Sequence, residues 1–339
     1  MSKKVVISGY YGFDNFGDDA ILSVLCEKLN SLGADTTVIS ANPQKTAKDF
    51  SVNSVRNFDL PKLLKTILNS EILISGGGSL LQDVTSLKSL LYYSFVLFSA
   101  LVMRKEVVIF AQGIGPLNRV ISKLIVKSLL KHAKFVSVRD EKSQALLADW
   151  RINAKLVNDP VFSISIQEIP KNFALGVQLR EFSTMNEAFL VSLAEFLLKD
   201  FPNRKIELFV FQKALDERVC KRFSEIIKSK NPKVDVELIY YENRAEIFKR
   251  IAQLDYMFAM RFHAVIAAIK AGVKTVAIDY DVKVQRLAEE ASIPLISLKA
   301  EENNFDAVFD SIKSLSPARL SDFASSKQFD WSQIETLFL

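Results

Sequence analysis

Short apolar runs alternate along most of the chain with longer stretches in which apolar positions recur every three or four residues. The runs in the first half predict strands at 5–8, 36–40, 72–75, 107–111, 135–138 and 155–157. The stretches between them predict helices starting near Asp18, Pro61, Val84, Leu117 and Asp140. The second half repeats the rhythm, with strands at 173–179, 205–211, 235–240, 256–259, 275–278 and 294–297. Its helices start near Met185, Ala214, Arg244, His263, Val284 and Phe305. Strands separated by helices predict parallel sheets with crossover helices on both faces, an α/β fold. Two such series predict two doubly wound domains, at 1–165 and 166–316. The boundary falls in 163–171, where Pro160 and Pro170 bracket an irregular stretch. A helical segment at 317–339 follows, free to pack back on the first domain.

The length of 339 residues agrees with two domains, and 49% hydrophobic with 24% charged residues excludes a disordered or fibrous chain. Two cysteines, Cys26 and Cys220, exclude a disulfide framework and a four-thiolate zinc site. Both fall in helix-like runs and read as core residues, which suits a reducing compartment. Two histidines, His132 and His263, leave little for a histidine metal site. Met-Ser-Lys-Lys leads straight into the first strand with no secretory pattern. The longest uncharged apolar run, 89–103, spans about 22 Å as a helix, short of a ~30 Å hydrocarbon core. A buried helix is expected there, and a cytoplasmic protein.

The net charge of +5 is uneven: residues 1–160 hold 20 basic and 14 acidic residues. Between 86 and 134 Glu106 is the one acid among eight basic residues. Arg119, Lys123, Lys127 and Lys131 fall four apart and form one ridge of a helix. Val120, Ile121, Leu124, Ile125 and Leu129 form an apolar stripe opposite. Such a helix, 118–134, is either the solvated face of an ordinary domain or a peripheral contact with an anionic membrane surface. No nucleic-acid motif is present, and nucleic acid is not an expected partner.

In open parallel sheets ligands bind beyond the carboxyl ends of strands, and two facing domains would enclose a cleft there. The chain places its unusual loops at those ends. Gly9-Tyr10-Tyr11-Gly12-Phe13-Asp14-Asn15-Phe16-Gly17-Asp18 matches neither the dinucleotide fingerprint nor a Walker loop. Asn15 and Asp18 either meet sugar hydroxyls or cap the following helix. Gly76-Gly77-Gly78-Ser79-Leu80-Leu81-Gln82-Asp83 offers consecutive N–H groups to an anion or a sugar oxygen. Gln112-Gly113-Ile114-Gly115-Pro116 repeats the pattern. Arg139 ends the next strand and either binds a carboxylate or phosphate or pairs with Asp140 or Glu141. In the second domain Arg261 and His263 follow one strand, and Asp279-Tyr280-Asp281-Val282-Lys283 follows the next. Two cations and an imidazole suit a small polyanion and a proton transfer.

These pieces, in this order, resemble the polysaccharide pyruvyl transferase family, including its CsaB type. The resemblance runs through Gly9–Asp18, Gly76–Asp83, Gln112–Pro116, Ser137-Val138-Arg139-Asp140, Asp159-Pro160, Arg261-Phe262-His263-Ala264 and Tyr280-Asp281-Val282-Lys283-Val284, covering roughly 9–290. Val273-Lys274 departs from the Val-Pro expected there. The resemblance implies two facing Rossmann-like domains, as in GT-B glycosyltransferases, the first on the acceptor side and the second on the donor side. It implies transfer of pyruvate from phosphoenolpyruvate to two sugar hydroxyls, often 4 and 6, giving a ketal and phosphate. Phosphoenolpyruvate is then the donor substrate and no cofactor or metal is implied. Arg139, His263 and Lys283 match the donor site, to which spacing adds Arg261 and the strand-end position adds Gly113. Tyr11, Asp14, Asn15, Asp18, Gly77, Gly78 and Asp83 are the expected acceptor contacts. The acceptor is a surface or cell-wall glycan or its lipid-linked precursor, met in the cytoplasm or at the inner membrane face. A nucleotide-sugar-dependent glycosyltransferase and a non-catalytic glycan-binding protein are the competing readings.

Overall fold

The computed structural model describes residues 2–84 and 86–339. Its contacts divide the chain into two units. One comprises residues 1–13, 18–163 and 328–339, the other 14–17 and 164–327.

The first unit is built on strands β1 (Lys4–Ser8), β2 (Asp35–Ser40), β3 (Asn53–Arg56), β4 (Ile72–Gly76), β5 (Glu106–Gln112), β6 (Phe135–Val138) and β7 (Lys155–Leu156). They form one parallel sheet in the order β3-β2-β1-β4-β5-β6-β7. The crossovers are α1 (Phe16–Ser31), α2 (Pro43–Phe50), α3 (Leu60–Leu68), α4 (Leu87–Val102), α5 (Val120–Lys131) and α6 (Glu141–Asp149). The central strands are buried along nearly their whole length, as continuous apolar runs require.

The second unit uses β8 (Ala174–Gln178), β9 (Lys205–Val210), β10 (Val236–Tyr240), β11 (Tyr256–Ala259), β12 (Lys274–Asp279) and β13 (Leu295–Ser297). Their order is β10-β9-β8-β11-β12-β13, again all parallel. Helices α7 (Glu187–Asp200), α8 (Lys213–Lys230), α9 (Arg244–Gln253), α10 (Phe262–Lys270), α11 (Val282–Ala291), α12 (Phe305–Ser314) and α13 (Pro317–Ser326) flank this sheet. In both sheets the order reverses beside the first strand, so the loops after β1 and β4, and after β8 and β11, start at the switch point where such sheets bind ligands.

Three elements differ from the sequence reading. The stretch 41–60, for which the sequence reading gives no element, contains α2 and the edge strand β3, whose single buried residue, Val55, leaves no alternation to detect. The segment 317–339 does not act as one piece. Leu320 and Ala324 of α13 are buried within the second unit, while 328–339, including α14 (Ser332–Thr336), belongs to the first. There Phe329 and Trp331 pack on Phe110 of β5. Finally, α4 is not buried all round. Leu91, Phe95, Phe98 and Val102, spaced 4, 3 and 4 apart, form an exposed stripe.

Among the described residues no helix is long and apolar enough to cross a membrane.

Candidate active site

In the first unit, β1 runs into the loop 9–13. Tyr11, expected to face a sugar, is 1% exposed, and its hydroxyl donates to the Gly76 carbonyl at 3.1 Å. Burial, and then the charge of Asp18, hold that hydroxyl well above the usual tyrosine range. Tyr11 therefore ties the first glycine loop to the second, and its hydroxyl does not reach an acceptor.

The loop after β4 is hydrogen-bonded to its neighbours rather than open. Gly77 N–H donates to Phe110 O and Gly113 N–H to Gly78 O, both at 3.0 Å, and Gly115 N–H to Leu81 O at 2.8 Å. The amides of Gly77, expected to meet the acceptor, and of Gly113, expected to meet the donor, are thus taken up by the backbone itself. Gly77 and Gly78 have φ of 65° and 66°, a conformation that suits glycine. A Cβ at Gly78 would stand 3.1 Å from Asp18 Oδ1. A carboxylate beside the loop repels a phosphate and accepts from hydroxyls.

Asp83 was also expected to orient a sugar. It is buried and accepts from the Asn118 and Arg119 amides at 2.7 and 2.9 Å, holding the start of α5. Those amides, Asn118 first, keep its carboxyl below the usual range. Arg139 follows β6 and pairs with Asp159 at 2.9 Å, with both side chains largely buried. Asp140 instead caps α6, accepting from the Ser143 amide and hydroxyl at 2.8 Å.

The second unit gathers more chemistry. Residues 14–17 belong to it, and Phe16 sits among Phe211, Tyr241 and Phe248 at ring distances of 4.3, 5.7 and 5.1 Å. Asn15 Oδ1 accepts from the Gly17 amide at 3.1 Å, so Asn15 caps α1. Asp18 follows in the first turn, and Asp14, at φ 52°, is exposed ahead of the cap. Gly17 faces His263: a Cβ there would stand 3.0 Å from Cγ and Cε1 and overlap Nδ1.

Arg261, expected to grip a donor, is already held. Its Nε donates to Asp216 Oδ2 at 3.0 Å, and its Nη2 reaches Asp216 Oδ1 at 2.6 Å and Gln212 Oε1 at 3.2 Å. Its amide donates to Gln178 Oε1 at 2.7 Å. Asp216 is fully buried and also accepts from the Phe211 and Gln212 amides at 3.0 Å. This network fixes the turn from β11 into α10 and with it the position of His263. Lys283 lies half-buried in the first turn of α11, whose cap is Asp281.

One cation was missed. Arg180 follows β8, and its amide donates to Met260 Sδ at 3.3 Å. Its guanidinium lies 5.7 Å from the Tyr280 ring centroid, and its buried Nε has no partner among the described residues. The signal was present in Leu179-Arg180, a cation directly after a strand, the feature that singled out Arg139. Burial raises the Tyr280 hydroxyl above its usual range, with Arg180 acting against it. Burial also raises Asp279, reinforced by Asp281 and Glu289. Among the described residues no group of three or more His, Cys, Asp or Glu is placed to hold a metal ion.

A family model described as polysaccharide pyruvyl transferase matches residues 15–282. The chain belongs to this family. The match runs from the α1 cap to the start of α11, and so takes in Gly17, Arg139, Arg180, Arg261 and His263 of this polysaccharide pyruvyl transferase family member. A search of curated proteins returns no match. Solved structures give the same two-unit α/β architecture. The UDP-GlcNAc 2-epimerase of Methanocaldococcus jannaschii is 11% identical, with a TM-score of 0.66 over 99% of each chain. Anabaena Alr3699/HepE in complex with UDP is 14% identical, with a TM-score of 0.63 over 98% of each chain. An α-glucosyltransferase in complex with UDP and DNA is 12% identical, with a TM-score of 0.60 over 100% of this chain and 99% of its own. These likenesses establish the GT-B-like fold. The transferase family rests on the family match.

Proposed function

We propose that the protein transfers pyruvate from phosphoenolpyruvate to two hydroxyls of a sugar, often 4 and 6, in a cell-wall or surface glycan or its lipid-linked precursor. The observation that supports this reading is the cationic set after β8, β11 and β12 in a member of this family. In the sheet order the loops that carry Arg180 and Lys283 lie on either side of the one that carries His263, whose turn is locked by Arg261 and Asp216. A donor with a phosphate and a carboxylate calls for such a set.

In this reading His263 is the general acid or base. Protonation of the donor methylene gives a methyl group and a cation-like C2. One sugar hydroxyl adds to C2 and loses its proton, the C2–O bond to phosphate breaks, and the second hydroxyl closes the ketal. Of the two hydroxyl protons, one balances the proton gained by the methyl carbon and the other leaves with phosphate. On this reading Lys283 binds the donor, as the resemblance implies, and Arg180 joins it. Arg261 is a positioning residue. Asp14, Asn15, Asp18 and Gly78 remain the acceptor contacts.

A second reading is favoured by one observation: the HepE and α-glucosyltransferase structures of this fold hold UDP. On that reading the protein uses a nucleotide sugar. Incubation with phosphoenolpyruvate and a panel of sugars, beside UDP-sugars with the same panel, separates the two. Acceptor-dependent phosphate release with a product heavier by one pyruvate, less two hydrogens and one oxygen, is expected. UDP release without phosphate release overturns the pyruvyl transfer reading.

A further inference from the structure

In the first unit the exposed stripe of α4 lies beside α5. Leu91, Phe95 and Phe98 from α4 and Leu124, Ile125 and Leu129 from α5 line an open groove of about 440 Å³. Phe98 and Leu124 are each 57% exposed, and Ile121 and Val120 extend the apolar surface. An ordinary outer helix face does not look like this.

The charge pattern is as one-sided as the apolar one. The buried side of α5 is Ser122, Val126, Leu129 and Leu130. At 100° per residue, Arg119, Lys123, Lys127 and Lys131 form a ridge beside the exposed stripe rather than opposite it. None of Lys123, Lys127 and Lys131 has a carboxylate partner among the described residues. Helix α8 shows the alternative: its outer face pairs Lys221 with Glu217 at 2.9 Å and Arg222 with Glu225 at 3.1 Å. Asp83 offsets only Arg119, at the start of α5, so the three lysines leave a surface complementary to an anionic plane with an apolar interior.

We infer that the α4–α5 face docks the protein on an anionic lipid bilayer, with Phe98, Ile121 and Leu124 entering the headgroup–acyl boundary and the α5 ridge meeting lipid phosphates. A second copy of the chain is the poorer occupant. An isologous contact would bring two unpaired basic ridges together. Each lysine near an anionic surface adds to binding, and the aromatic and aliphatic side chains add burial that charge alone does not supply. The inference deepens the transfer reading by bringing the enzyme to a lipid-linked acceptor, and docking itself needs neither donor nor sugar.

The test is co-sedimentation of the full chain with vesicles of phosphatidylcholine alone, or of phosphatidylcholine and phosphatidylglycerol in equal parts. Wild type should pellet with the anionic vesicles only. Replacing Lys123, Lys127 and Lys131 together by Glu should weaken binding roughly tenfold or more. Phe98→Ser with Leu124→Ser, which leaves the charge unchanged, should weaken it as well. Both variants should melt near the wild-type temperature and release phosphate normally with a soluble acceptor. Absence of wild-type binding, or equal binding by all three proteins, overturns the inference. A wild-type dimer that Phe98→Ser with Leu124→Ser converts to a monomer also overturns it, by assigning the face to a second copy. Failure of the transfer reading would appear in the phosphate assay alone and leave the sedimentation result standing.

Discussion

Gly17 stands against the imidazole of His263, with no room for a Cβ between the helix and the ring. The two residues are far apart in sequence yet fall in the same unit, because 14–17 is anchored there by Phe16. Gly17→Ala should therefore leave a folded protein, since the imidazole can swing aside, but move the proposed acid or base off its mark. A displacement near 1 Å lowers turnover by about 100-fold. The expected result is an unchanged melting temperature, a kcat down by about that factor and little change in donor KM. Normal kcat in Gly17→Ala would show that the position of His263 does not matter to the reaction.

The Arg261–Asp216 pair makes an opposite prediction. Both side chains are almost fully buried, and each satisfies the other. Asp216→Ala would leave a guanidinium without its counter-charge, which destabilises by about 3–5 kcal/mol. Arg261→Met together with Asp216→Leu should cost less than the single changes combined, because no lone charge is buried. Thermal melts of the two single variants and the double variant form the cycle. Additive losses would mean that the pair does not act as a unit. Arg261→Lys should lower kcat more than it raises donor KM, the signature of a positioning role.

Much of this was readable from the chain, for identifiable reasons. Strands such as β1, β4 and β8 are buried runs, so their apolar composition alone reveals them. The strand-end loops followed from parallel topology. What escaped was decided by packing between distant residues. Nothing near Asp216 shows that it meets a guanidinium 45 positions away. Nothing in Tyr11 or Asp83 distinguishes a residue that ties loops together from one that waits for a sugar. The run 89–103 is apolar enough to be buried on every side, and only its neighbour α5 shows that one stripe faces outward.

Two first-unit acids set a pH dependence. Hydrogen bonds from Lys155 first, and then Ser332, hold the Asp330 carboxyl at about 2. Asp83 is lowered by the Asn118 amide. A carboxyl lowered on folding stabilises the fold fully above its unfolded value, near ~3.9. That contribution disappears as pH falls through the folded value. Between pH 5 and 8 neither group should change stability, and below about pH 4 the anchoring of 328–339 should weaken. Trp331, stacked on Phe110, reports this segment by fluorescence. Asp330→Asn should loosen it at neutral pH, and its difference from wild type should shrink as pH approaches 2. A constant difference down to that pH would mean that the Asp330 charge contributes nothing.

Arg180 gives the sharpest test of the donor site. It follows the central strand β8, one strand away from His263, with a tyrosine ring and a sulfur as neighbours and no carboxylate partner among the described residues. Removing it orphans no buried acid, so Arg180→Ala should melt like wild type. If its guanidinium meets the phosphate or carboxylate of the donor, loss of a charge-assisted hydrogen bond raises donor KM roughly 10- to 100-fold. Arg180→Lys keeps the charge but not the planar fork, and should recover part of that loss. Acceptor KM should stay fixed in both variants. Steady-state kinetics with phosphoenolpyruvate varied at saturating sugar, then the reverse, reads the two constants separately. An acceptor KM that rises while donor KM holds would move Arg180 to the sugar, leaving Lys283 as the proposed donor-binding cation of the second unit.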